Sequence, residues 1–185
     1  IRRQLLQWYD AHARVLPWRG VRDPYRTWVS ETMLQQTRVE TVIGYYQRFL
    51  ERFPTVEALA EADQDEVLKL WEGLGYYSRA RNLHKGAKQV MADFGGQIPS
   101  DVEAVRVISG IGPYTAGAIA SIAFGQKTAA VDGNVFRVVG RLSEDKTPIS
   151  EPSYRKYLEE RLSAVYPDGK ENCSAFTQSL FELGA

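Results

Sequence analysis

Two carboxylates stand in unlike surroundings. Glu31 lies in Trp28-Val29-Ser30-Glu31-Thr32-Met33-Leu34-Gln35-Gln36-Thr37, three residues from both Trp28 and Leu34. At helical spacing it borders an apolar stripe, and partial burial there is expected to raise its pKa and let it hold a proton near neutrality. Asp132 opens Val131-Asp132-Gly133-Asn134-Val135-Phe136-Arg137-Val138 and reads as a helix N-cap. Amide donors and the helix dipole are expected to depress its pKa and keep it anionic, with Asn134 near enough to orient it. One raised and one lowered carboxylate would suit cleavage of a glycosidic bond, whose transition state resembles an oxocarbenium ion. Taken singly, each has a plainer reading: a solvated surface glutamate and an ordinary cap.

Three further segments carry mixed signals. Ser109-Gly110-Ile111-Gly112-Pro113-Tyr114-Thr115-Ala116 reads as a helix, a two-glycine turn and a second helix beginning at Pro113. Gly110 and Gly112 permit positive φ and close backbone approach, and the second helix offers free N–H groups to a phosphate. A tight αα turn within a bundle fits the same residues. Gly73-Leu74-Gly75-Tyr76-Tyr77-Ser78-Arg79-Ala80-Arg81-Asn82-Leu83-His84-Lys85 joins a glycine turn, paired tyrosines and a basic cluster. It suits a loop pushed into a duplex, with Arg79 and Arg81 on phosphates, or equally a basic helix face over core tyrosines. Leu16-Pro17-Trp18-Arg19 is a weaker signal for part of a base pocket.

The elements that must position these groups are all helical. No strand alternation, internal repeat or low-complexity tract interrupts the pattern. An opening helix carries Leu5, Leu6, Trp8 and Tyr9 and is expected to stop at Pro17. Asp23-Pro24 caps the next. Capping boxes are expected at Thr37 with Glu40, at Asp63 with Glu66 and at Ser100 with Glu103. A helix from Tyr77 to Asp93 stops at Gly95-Gly96. A small-residue helix runs to Phe124-Gly125, Asp132 caps one through Arg141, Pro152 starts another and Asn172 opens the last. The fold class is all-α, with about ten helices by this capping count.

Composition limits the function classes. With 44% hydrophobic and 25% charged residues the chain is that of a globular domain, and its apolar runs are too short to span a bilayer. Lys+Arg and Asp+Glu both number 23, so any attraction to nucleic acid must be local. Cys173 is the single cysteine, which fits a reducing cytosol and leaves no set of cysteines to hold a metal.

These segments, in this order and at these separations, resemble the helix–hairpin–helix superfamily of DNA glycosylases, and within it the adenine-removing branch. Ser30 to Thr37, Gly73 to Tyr77 and Val131 to Val135 carry that likeness, which extends from Leu16 to Ala185. The resemblance implies base excision repair. Adenine mispaired with 8-oxoguanine or guanine would be flipped from the duplex and its N-glycosidic bond hydrolysed, without efficient strand cleavage. Glu31 would protonate adenine N7. Asp132 would stabilise or briefly capture the sugar cation, with Asn134 holding it. Tyr114 would fill the hairpin slot where bifunctional relatives carry a nucleophilic lysine. Gln36 and Tyr76 would wedge into the duplex, and Trp18, Arg19, Leu34, Val39 and Gln178 would wall the adenine pocket. Backbone carbonyls of Arg106, Ile108 and Ile111 match a place where such hairpins hold a cation.

The resemblance also implies two lobes. Residues 21–127 would form a six-helix barrel, and residues 1–20 with 128–185 a second helical lobe, with Glu31 and Asp132 across the cleft. The expected partner is double-stranded DNA with a mispaired adenine, and the expected enzyme a bacterial, cytoplasmic, nucleoid-associated monomer without a membrane. Family members carry four cysteines for a 4Fe-4S cluster beyond the position of Ala185, and then a domain that recognises the oxidised guanine. Neither lies within these residues, so no cofactor is expected in this chain beyond a hairpin cation. Two alternatives stay open: a related glycosylase for a mismatched thymine or an oxidised pyrimidine, and a helical DNA-binding module without catalysis.

Overall fold

The computed structural model describes residues 2–148 and 151–185 and, among these, contains helices and no strand. In chain order these are α1 (Arg2–His12), α2 (Pro24–Leu34), α3 (Val39–Arg52), α4 (Val56–Glu61), α5 (Gln64–Trp71), α6 (Ser78–Phe94), α7 (Val102–Arg106) and α8 (Pro113–Ala118). A π-helical turn, Ile119–Ala123, continues α8, and α9 (Gly133–Ser143), α10 (Pro152–Ala164) and α11 (Lys170–Gly184) follow. The chain packs as two compact units: residues 16–115 form one, and residues 1–15 with 116–185 the other.

The unit of residues 16–115 closes around large side chains withdrawn from water: Trp28, Met33, Phe49, Phe53, Leu59, Trp71 and Leu83. The rings pack edge to face, Phe49 on Phe53 at 5.1 Å and on Trp71 at 6.0 Å between centroids. Here α6 lies against α2, α4 and α5. The other unit gathers Val131, Val135, Phe136, Val138, Leu158, Leu162, Tyr166, Phe176 and Leu180, with Leu5 and Leu6 of α1 packed on them.

Punctuation encoded within a few residues is realised as expected. Asp23 caps α2, accepting from the Arg26 N–H at 2.7 Å, with Pro24 at its first position. Gly95 ends α6 in the left-handed conformation (φ +59°) and Asp132 caps α9. Other expectations are corrected. Thr37 does not cap α3: its hydroxyl donates to the Gln35 carbonyl and accepts from Arg79 Nη2. Asp101, not Ser100, caps α7, accepting from the Ala104 N–H at 2.9 Å. Asp63 precedes α5 without a side-chain capping bond. The short α4, capped by Thr55 on the Ala58 N–H, adds a helix between those expected from Thr37 and from Asp63. The first helix stops at His12, well before Pro17. The last opens at Lys170, and the Asn172 amide donates back to the Asp168 carbonyl.

Candidate active site

Glu31 lies in the last two turns of α2 and is 5% exposed, which removes the solvated-surface reading. Tyr114, second residue of α8, donates its hydroxyl to Glu31 Oε2 at 2.5 Å. The hairpin therefore delivers a phenol to a buried carboxyl group of a distant helix, and an O–H···O bond of that length fixes the carboxyl orientation. Gln35 and Thr115 extend the junction: the Gln35 amide donates to Thr115 Oγ1 at 3.4 Å.

The hairpin itself is held from α6. Gly110 has φ +84°, and a Cβ there would lie 3.0 Å from the Asn82 Cβ. One turn on, a Cβ at Gly86 would lie 2.6 Å from the Ser109 carbonyl and 2.7 Å from the Trp28 ring. A further turn on, the Gln89 amide donates to the Val107 carbonyl (3.1 Å) and accepts from the Ser109 N–H (3.0 Å). Residues 82, 86 and 89 thus form one helical face that grips the turn. The sequence reading missed this; Gly86 inside a helix was the available signal. The neighbouring face carries Arg81, Lys85 and Lys88, all exposed. Gly112 differs from the expectation: it lacks positive φ, and the space a Cβ would enter is open. Of the carbonyls proposed for a cation, that of Ile108 accepts from the Ile111 N–H at 3.1 Å. The Arg106 side chain pairs with Glu103.

Arg79 is the largest correction. Expected on a phosphate, it is 9% exposed, and its guanidinium is spent on the protein. Nη1 donates to the carbonyls of Thr32 and Met33, both at 3.0 Å, and of Gln35. Nη2 donates to Thr37 Oγ1 (3.2 Å) and to the carbonyls of Leu74 (3.1 Å) and Gly75 (3.3 Å). Next to two of those carbonyls stand Gln36 and Tyr76, non-glycine residues with φ of +58° and +48°. Such backbone costs on the order of 1–3 kcal/mol per residue and persists only where surroundings impose it. Gln36 is exposed, and Tyr76 is 61% exposed. The two residues expected to enter DNA are thus an outward-facing pair on constrained turns.

In the other unit, Asp132 caps α9, accepting from the Val135 N–H at 2.8 Å. Its pKa is raised, the reverse of the expected direction: burial outweighs the lowering by the Val135 and Asn134 amides and by Arg137. Asn134 contributes its backbone amide, not its side chain. Its Oδ1 accepts from Arg137 Nη2, three residues along the helix, which also donates to the Gly184 carbonyl at 2.5 Å. Gly184 is needed there, since a Cβ would meet the Asn134 Cβ at 2.7 Å.

The expected pocket residues are distributed. Trp18 is buried edge-on against Tyr46 (5.4 Å between centroids). Arg19, Leu34 and Val39 are half-buried in the same unit. Gln178 belongs to the other unit, buried, with Oε1 accepting from Tyr9 (3.4 Å) and Nε2 donating to Ser174 (3.0 Å). No group of three or more His, Cys, Asp or Glu suited to a metal occurs among the described residues. Cys173 does not fit a cluster ligand: it is buried, its thiol donates to the Pro167 carbonyl and burial raises its pKa. A cluster needs several thiolates, and these residues supply one cysteine.

A two-glycine hairpin held against a buried glutamate, with helices and no strand among the described residues, defines a class. Residues 29–164 match the model of the HhH-GPD superfamily base excision DNA repair protein, and the chain belongs to that superfamily. Within it, the sequence is similar to adenine DNA glycosylases. It is 52% identical over 150 residues to that of Rattus norvegicus (76% of this chain, 29% of the relative). It is 44% identical over 196 residues to that of Mus musculus (100% and 37%). With that of Buchnera aphidicola subsp. Baizongia pistaciae it shares 41% over 182 residues (98% and 51%). The chain thus spans about half or less of the length of these relatives. In structure it is similar to a thermostable thymine-DNA glycosylase, with TM-score 0.88 and 29% identity over 100% of this chain and 84% of that one. A trapped endonuclease III–DNA covalent intermediate, at TM-score 0.75 and 23% identity over 97% and 80%, shares the fold.

Proposed function

We propose that this chain carries the excision chemistry of a monofunctional adenine DNA glycosylase acting on adenine opposite 8-oxoguanine or guanine in duplex DNA. The observation that carries the reading is the buried Glu31 carboxyl held by the Tyr114 hydroxyl at 2.5 Å. A purine leaves as a neutral base only if a ring nitrogen is protonated, and Glu31 is the general acid toward N7. Asp132 is the carboxylate toward the sugar. Half-buried and held by amides, it is incompletely solvated in the ground state, and a developing cation relieves that cost in the transition state. The target base must first leave the stack, with Gln36 and Tyr76 filling the gap and Arg81, Lys85 and Lys88 on the backbone. The enzyme acts as a monomer in the bacterial cytoplasm, at the nucleoid. With a phenol at residue 114, the hairpin has no amine to form a Schiff base, and residues 97–125 hold no lysine.

Single-turnover assays on duplexes with A opposite 8-oxoguanine, A opposite G and T opposite G test this reading. Adenine release should outpace strand breakage measured without alkali, and Glu31→Gln should slow release by roughly 10²-fold or more while leaving duplex affinity nearly intact. Preferential release of thymine would favour the chemistry named for the thermostable structural neighbour. Strand breakage as fast as base release would overturn the monofunctional assignment.

A further inference from the structure

The guanidinium of Arg79 occupies the junction between two turns that are far apart in sequence. From one side it collects the carbonyls that end α2, at Thr32, Met33 and Gln35, together with Thr37 Oγ1. From the other it collects Leu74 and Gly75 of the glycine turn. The Arg79 backbone N–H donates to the Tyr76 carbonyl at 2.9 Å, and its guanidinium carbon lies 5.5 Å from the ring centroids of both Tyr76 and Trp71. The Trp71 indole N–H also donates to the Gly75 carbonyl at 3.1 Å. Each turn then places a left-handed, exposed residue immediately after a carbonyl that Arg79 holds: Gln36 after Gln35, Tyr76 after Gly75. A planar fork can bridge both turns at once, whereas an ammonium on a flexible stem cannot hold so many divergent acceptors in fixed directions.

We propose that Arg79 is a positioning residue for base extrusion: by tying both turns to one rigid group, it holds Gln36 and Tyr76 at a fixed mutual spacing before DNA arrives. This rests on the reading of those two residues as the wedge. Arg79 itself touches neither base nor phosphate. Its loss would leave Glu31 and Tyr114 hydrogen-bonded but let the wedge residues move independently, so the defect falls on flipping and not on bond cleavage.

The test uses the whole chain as wild type, Arg79→Lys and Thr37→Val, the last removing one acceptor from the strut at less risk to the fold. Hydrogen exchange in the DNA-free protein is measured first, at a temperature where circular dichroism shows each variant folded. Exchange should rise in residues 34–38 and 73–78 and not in α11. Single-turnover excision is then compared for adenine paired with guanine and adenine in an unpaired bulge. With R79K, the paired rate should fall by about ten- to a hundredfold while the bulge rate stays within about threefold. Fluorescence of 2-aminopurine at the target position should report a matching loss of extrusion. Thr37→Val should move both readouts the same way by a smaller factor, and decides the matter if R79K does not fold. Unchanged exchange, or equal losses on both substrates, would overturn the proposal. Failure of the wild type to release adenine would overturn the functional reading instead, leaving exchange to decide whether the strut exists.

Discussion

At residue scale, the two carboxylates are placed under opposite kinds of control. Glu31 is buried and oriented by a phenol from the hairpin, whereas Asp132 is anchored by the amides of its own helix and penalised by burial. The raised pKa of Asp132 has a definite sign in stability. Its folded-state pKa exceeds the unfolded value, so the folded protein binds the proton more tightly. The charged form therefore disfavours folding above the folded pKa, and this cost fades as pH falls to the unfolded value. Asparagine is as good an N-cap as aspartate and carries no charge. Asp132→Asn is therefore expected to abolish excision while matching or exceeding wild-type stability at pH 7. That margin should shrink in melts as pH is lowered through the carboxylate range. Asp132→Ala, which deletes the bond to the Val135 N–H, should lose about 1 kcal/mol. If both variants lose the same stability at every pH, the carboxylate is not desolvated as described.

At the scale of elements, α6 does the most to build the site, and it does so with three adjoining stripes. Residues 82, 86 and 89 grip the hairpin, Arg79 ties two turns, and Arg81, Lys85 and Lys88 face outward. The glycines separate packing from ligand approach. Gly86→Ala would press a methyl onto a backbone carbonyl and a buried indole, so it should cost about 1–3 kcal/mol despite alanine's better helix propensity. Gly112→Ala meets open space and should melt near wild type, yet bind duplex DNA more weakly because its methyl stands on the exposed turn. Thermal melts alongside titrations check both; a stable G86A would refute the close packing. The same helix shows what a sequence can tell. Caps at Asp23 and Asp132 and the stop at Gly95 depend on neighbours within a few residues, and they were legible. Thr37 looked like a cap and is claimed by Arg79 from another element. Arg79 looked like one of a basic cluster, and only packing against α2 reveals its burial. The Asp132 cap was read correctly but the sign of its pKa was not, because desolvation is set by tertiary surroundings.

On the scale of the whole molecule, charge is locally clustered, not absent. Equal numbers of acidic and basic residues give formal neutrality, but α4, α5 and their flanks expose Glu57, Glu61, Asp63, Asp65 and Glu72 beside Lys69, while α6 exposes Arg81, Lys85 and Lys88 close together, with Asp93 at its far end. A neutral protein with such a distribution can still bind a polyanion, because affinity depends on how many phosphates are neutralised at the contact and not on the molecular sum. Each phosphate contact releases condensed counterions from the duplex, and log K should fall linearly with log salt by roughly 0.9 per contact. Three contacts from the α6 stripe give a slope of roughly −2 to −3. Removing one charge with Arg81→Gln or Lys85→Gln should weaken binding similarly on every duplex and make the slope shallower by about one. The paired change Glu57→Gln with Glu61→Gln raises the net charge by two but adds no cation to the stripe, so it should leave the slope unchanged. Titrations of a mispaired duplex across a salt series distinguish these outcomes. If the glutamate changes alter the slope as much as the α6 changes do, binding follows net charge and the contact surface has been assigned to the wrong face.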